Sequence, residues 1–78
     1  MIMNVDLSKG SVIRISGPAR VDVIEGKVLL VGAIYGKGSS IIVHRVRSYG
    51  LKALEDAKLR VTLGSGARVE QPGDGEEV

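Results

Sequence analysis

The stretch Arg45-Val46-Arg47-Ser48-Tyr49-Gly50-Leu51-Lys52-Ala53-Leu54-Glu55-Asp56, running on into Ala57-Lys58-Leu59-Arg60-Val61-Thr62-Leu63, decides between a helical and a β reading of this chain. Leu51, Leu54 and Ala57 or Lys58 fall at the spacing of an amphipathic helix, on which Glu55 and Lys58 would lie within ion-pairing reach. Against this, Gly50 bounds the segment and a helix there would be short. Residues 58–63 alternate: Leu59, Val61 and Leu63 share one side and Lys58, Arg60 and Thr62 the other, the period-two pattern of a half-buried strand. The stretch therefore reads as a basic strand end, a corner at Ser48-Tyr49-Gly50, a strand over 51–55 and another over 57–63.

Working outward, the rest of the chain agrees with a β fold. Residues 3–7 alternate apolar and polar, Ser8-Lys9-Gly10 turns, and residues 11–16 form a second strand that ends at Gly17-Pro18. Residues 19–25 alternate through Val21 and Val23. Glu25-Gly26-Lys27 is short enough to close a hairpin into a strand over 27–34. The run Val28-Leu29-Leu30-Val31 is apolar on both faces, as expected of a central strand or of a face that associates with another chain. Gly36-Lys37-Gly38 is expected to turn the chain into a strand over 39–44, and Gly64-Ser65-Gly66 into a last one over 67–70. About eight short strands and no secure helix predict an all-β fold over residues 1–70, a small β-sandwich or jelly-roll-like barrel. Residues 71–78, Gln-Pro-Gly-Asp-Gly-Glu-Glu-Val, combine breakers with acids and read as a flexible tail or linker.

Seventy-eight residues make one domain, which buries only roughly 60% of the surface its unfolded chain exposes. Without Cys there is no disulfide framework or thiolate metal site, and a single His excludes a multi-histidine one. Phe and Trp are absent, so Val, Ile and Leu must fill the core. No apolar run reaches the length of a membrane span, and the first residues lack the basic and long apolar parts of a signal peptide; a cytoplasmic protein is expected. The net charge is +2, unevenly spread. Residues 1–69 hold all eleven Lys and Arg but only five of the nine acids, leaving that body at +6. A basic body is compatible with an anionic partner such as nucleic acid, but surplus Lys and Arg on the surface of a small β domain is the plainer reading.

Few residues carry recognisable chemistry. Gly32-Ala33-Ile34-Tyr35-Gly36-Lys37-Gly38-Ser39 imitates a phosphate loop, but three residues rather than four separate Gly32 from Gly36, and a glycine takes the Ser/Thr place. A simple hairpin is the better reading. His44 has no nucleophile or orienting carboxylate near it in sequence. Glu55 and Asp56, adjacent in an extended chain, point to opposite faces, and Asp56 suits a turn acceptor for the amides just after it. Arg20, Arg45, Arg47, Lys52 and Arg60 are candidates for an anion-binding patch, with only Tyr35 and Tyr49 to stack on bases.

Gly17-Pro18-Ala19-Arg20-Val21-Asp22-Val23-Ile24-Glu25-Gly26-Lys27-Val28, Val31-Gly32-Ala33, Arg45-Val46-Arg47-Ser48 and Leu51-Lys52-Ala53-Leu54-Glu55-Asp56-Ala57-Lys58-Leu59 occur in an order that resembles the N-terminal β domain of archaeal polyribonucleotide 5′-hydroxyl kinases. These are relatives of the kinase-fold subunit of the eukaryotic pre-mRNA cleavage complex. The resemblance covers about residues 11–70, with Gly50 where proline is common in the family and Lys52 where an acid is common. It implies a β-sandwich that precedes an ATP- and magnesium-dependent P-loop kinase domain. No such motif occurs in this chain, so kinase activity does not carry over and no cofactor is expected. What it does imply is a non-catalytic accessory domain that supports a P-loop kinase domain or RNA-processing subunit, with Arg45, Arg47, Ser48 and Lys52 facing a nucleotide or partner. A structural alternative has both arginines pinning the corner through Glu55 or Asp56. Two rival functions stay open: a free-standing sandwich forming a homo-oligomer through Val28, Leu29, Leu30 and Val31 or exposed strand edges, and a basic nucleic-acid-binding module.

Overall fold

The computed structural model describes residues 1–70. Nine strands form: β1 (Ile2–Leu7), β2 (Val12–Ser16), β3 (Ala19–Glu25), β4 (Val28–Leu30), β5 (Ala33–Tyr35), β6 (Ser40–Val43), β7 (Ser48–Ala53), β8 (Ala57–Leu63) and β9 (Arg68–Glu70). They make two antiparallel sheets, one ordered β1-β8-β3-β6 and the other β5-β4-β7-β2-β9. The pairs β4:β5, β3:β6, β2:β7 and β1:β8 are nested, so the first eight strands behave as one long hairpin wound across two sheets. That is the jelly-roll wrapping of a β-sandwich. The ninth strand is added beside β2. Among the described residues no helix is long and apolar enough to cross a membrane.

The alternation seen in sequence becomes the core. Ile13 and Ile15 of β2, Leu51 of β7, Val21 of β3 and Leu59 and Val61 of β8 are among the side chains that point inward and lose almost all contact with solvent. Ala19, Ala53 and Ala57 also lie inside, and no buried polar side chain occurs among the described residues. An aliphatic core of this kind relies on interdigitation alone, because it has no aromatic ring to fill volume. Tyr35 and Tyr49 pack against its margin, half-buried.

Three expectations are corrected by the topology. The segment 27–34 is two strands, since Val31 and Gly32, with φ of +50° and +76°, fold β5 back onto β4 in a two-residue turn. Such positive φ at both central positions defines the I′ geometry that suits the twist of a hairpin. The turns at Gly26 and at Gly36-Lys37-Gly38 are not hairpins, because β3 and β4, and likewise β5 and β6, lie in different sheets. And Gly50 is inside β7, opposite Arg14, while the corners fall at residues 44–47 and 54–56.

Two glycines explain how corners stack. At Gly17 a side chain would overlap the main-chain carbonyls of Val43 and His44, and the Gly17 N–H donates to the Arg47 carbonyl at 3.0 Å. At Gly26, with φ +85°, a Cβ would overlap the Asp56 carbonyl and Ala57. Only glycine combines that conformation with so close a backbone approach. The corner at Gly17-Pro18 is thereby locked to the loop bearing Arg45 and Arg47, and the corner at Gly26 to the one bearing Asp56.

Candidate functional site

Arg45 and Arg47 lie in the turn between β6 and β7, closed by the Arg47 N–H donating to the His44 carbonyl at 2.9 Å. Both are exposed and neither makes an ion pair with another described residue. The pinning through Glu55 or Asp56 is therefore not formed. Asp56 instead accepts the main-chain N–H of Lys9 at 2.9 Å, tying the β1–β2 turn to the β7–β8 corner rather than capping the amides just after it. Ser48 opens β7 and its hydroxyl accepts from that of Ser16 at 3.3 Å across the β2:β7 ladder. Lys52 is on the same outer face four residues further along, about 13 Å away at the rise of an extended strand. The four residues thus do not converge on one point; they mark two ends of β7.

The apolar run divides differently. Val28 and Leu30 are buried between the sheets, so neither contributes to an association surface. Leu29 is half-buried on the outer face, and Val31 is 70% exposed at the hairpin tip. The pairing register extends this outer face into a row: Ile34 opposite Leu29, Leu29 opposite Lys52, Lys52 opposite Val12. Ile34 is 64% exposed, and Gly50, in the next row of β7, leaves open space where a side chain would stand. The outer side of the five-stranded sheet therefore carries a strip of aliphatic side chains interrupted only by Lys52, with a bare step beside it. Ile34 and Val12 were missed from sequence because they join Leu29 only once the Val31-Gly32 turn and the β2:β7 register are in place.

The outer side of the four-stranded sheet carries a hydrogen-bonded cluster. One of its rows reads Asn4, Arg60, Asp22, Ser40 across the four strands. Asp22 Oδ1 accepts from the Ser40 hydroxyl at 2.6 Å and from Arg20 Nε at 3.1 Å. The Ser40 hydroxyl foremost, opposed by desolvation and supported by Arg20 and then Arg60, holds the Asp22 carboxyl below the usual carboxylate range. Arg20 with Asp22 is the ion pair of this face among the described residues, and Ile2, Ile24 and Ile42 stand exposed on it as well. Two open clefts, of about 280 and 300 Å³, border it at Asp6 and Lys58; one also reaches Glu25 and Asp56 and the other Ile24 and Arg60. Neither includes His44, and no group of metal-ligating side chains is assembled among the described residues.

Fold and surface together define a small jelly-roll domain whose two outer faces both carry exposed aliphatic side chains, among them Ile2 and Ile42 on the four-stranded sheet and Ile34 on the five-stranded one. Compared with known proteins, the chain matches no family model, no curated protein and no solved structure.

Proposed function

We propose that the chain is a non-catalytic accessory domain, resembling the N-terminal β domain of RNA 5′-hydroxyl kinases, that supports a P-loop kinase domain or RNA-processing subunit in the cytoplasm. The observation that supports this reading is the aliphatic row on the outer face of the five-stranded sheet. Ile34 and Leu29 are paired neighbours there, with Val12 in the same row and the bare Gly50 beside it, whereas the exposed Ile2 and Ile42 of the four-stranded sheet are held apart in their row by Thr62 and Arg20. With Lys52 inside the row and Arg14 beside it, the strip has the mixed aliphatic and basic make-up of a protein-docking patch. Arg45 and Arg47, at the far end of β7, would then stand beside the partner and its anionic ligand.

The test is calorimetric titration of the purified chain against a P-loop RNA 5′-hydroxyl kinase domain stripped of its own β domain. Saturable binding is expected, weakened at least about tenfold by Leu29→Asp or Ile34→Asp, a loss of about 1.4 kcal/mol. Because both side chains face outward, melting temperatures should change little. Heat-silent mixing of two folded proteins would reject the reading. Retention on RNA that falls steeply with salt and depends on Arg45 and Arg47 would favour the nucleic-acid-binding alternative instead.

A further inference from the structure

β1 is the longest edge strand of the molecule among the described residues: six residues, against four in β6 and three each in β5 and β9. Edges of this length are usually guarded by a proline, a lysine or a bulge. β1 has one charged side chain, Asp6 near its end, and no proline, lysine or bulge: its sequence is Ile-Met-Asn-Val-Asp-Leu and its register with β8 is unbroken from Ile2 to Leu7.

The hydrogen-bond parity of that edge is set by its first pair. Met1 and Leu63 exchange both main-chain bonds, the Met1 nitrogen donating to the Leu63 carbonyl at 3.1 Å and the Leu63 N–H to the Met1 carbonyl at 2.7 Å. In an antiparallel ladder bonded and non-bonded pairs alternate. Met3, Val5 and Leu7 therefore bond to β8, and the N–H and C=O groups of Ile2, Asn4 and Asp6 point away from it. The free edge offers three donors and three acceptors in strict alternation.

We propose that β1 pairs antiparallel with β1 of a second copy of this chain, about a two-fold axis passing at Asn4, joining two four-stranded sheets into one of eight strands. This goes beyond the accessory-domain reading and leaves the five-stranded sheet's outer face free. Among registers that match free edge to free edge, only this one uses all three residues: Asn4 opposes Asn4 of the copy, and Ile2 opposes Asp6 in both directions, giving six main-chain bonds. Sliding by two residues forfeits bonds, and sliding by four sets Asp6 against Asp6, which like-charge repulsion disfavours. On the inner side Met3 comes opposite Val5 of the copy. Both are only half-buried in the single chain. The pairing covers them and carries the aliphatic core across the axis. On the outer side the two Asn4 carboxamides meet and can bond to each other. The contact is isologous and closed, so it stops at two chains.

The single-strand interface is small, so the dimer is expected to depend on concentration. Sedimentation of the full chain from micromolar to millimolar concentration should show the mass rising from 8.2 kDa toward twice that value. Asn4→Pro removes a donor that points away from β8 and bonds no other described residue, and should hold the mass at one copy with the melting curve retained. Should that variant fail to fold, a cysteine serves instead, since the chain contains none. Bonded antiparallel partners stand about 5.5 Å apart at Cα, within disulfide range. With dissolved oxygen accepting the two electrons and two protons, Asn4→Cys should therefore form a disulfide-linked dimer faster than Lys58→Cys, whose copies would stand at least three strand spacings, about 14 Å, apart. A wild-type chain that stays monomeric to millimolar concentration, a dimer indifferent to Asn4→Pro, or equal cross-linking of the two cysteine variants would each overturn the proposal.

Discussion

Val31 is the residue whose conformation its own side chain resists. It has φ +50° in a two-residue turn, where a β-branched side chain crowds the next carbonyl and costs about 1–2 kcal/mol. Nothing is recovered by burial, because 70% of it remains exposed. The favoured I′ sequence is Asn-Gly, and Gly32 already supplies the second half. Val31→Asn is accordingly expected to raise stability by about 1 kcal/mol in urea unfolding, with the slope of the transition unchanged. Equal or lower stability would mean that the turn relaxes away from this conformation. Strain kept at an exposed tip is a common mark of a contact surface, and Val31 adjoins the strip proposed to meet a partner.

At the scale of elements, β3 and β6 are joined on their outer side by Asp22, Arg20 and Ser40. The depressed Asp22 carboxyl links this join to pH. Its contribution is fully present above the unfolded-state value, about 3.9, and is lost as the pH falls through the lower folded-state value. Asp22→Asn should therefore lower the melting temperature at neutral pH, and the gap between variant and parent should close in acid. A gap of constant size from pH 7 to pH 2 would show that the carboxylate's charge is not what joins the strands. These cross-strand partners could not be read from the chain, since Asp22 and Ser40 are eighteen positions apart and only the β3:β6 register sets them side by side. The strands themselves were legible wherever one side of a sheet faces water. Alternation around Val21, Leu59 and Val61 marks β3 and β8 plainly. It failed at residues 27–34 because a continuous apolar run hides the turn inside it, and the left-handed Val31 is a residue type that seldom marks one. Gly26 and Gly36-Lys37-Gly38 were legible as turns but not as crossings, because a glycine that closes a hairpin looks the same in sequence as one that passes under another corner.

For the whole molecule, the nested wrapping sets the order of events. Only β4:β5 pairs strands adjacent in sequence, and each further pair, β3:β6, β2:β7 and β1:β8, encloses all those before it. Loop closure is least costly for the innermost pair, and all-β domains dominated by non-local pairing fold in milliseconds to seconds. Refolding is expected in that range, with the innermost hairpin formed early. Leu30→Ala should then act mainly on the folding limb of the chevron, slowing it roughly tenfold or more given the cost of truncating a buried leucine. Val5→Ala, on the outermost pair, should act mainly on the unfolding limb. The reverse partition would place the nucleus at β1:β8. How the candidate residues are arranged was the least legible feature, because Arg45, Arg47, Ser48 and Lys52 are neighbours along the chain but are divided in space between the β6–β7 turn and the two ends of β7.

The absence of Phe and Trp also decides how this protein can be observed. Tyr35 and Tyr49 are its only fluorescent side chains, and both belong to strands of the five-stranded sheet, opposite Val28 and Ile15. Ultraviolet emission thus reports on one layer of the sandwich while the other is optically silent. Far-ultraviolet dichroism sees the backbone of both. Superimposed melting curves from the two signals would mean that the layers come apart in one step, and an earlier tyrosine transition would mean that the five-stranded layer loosens first.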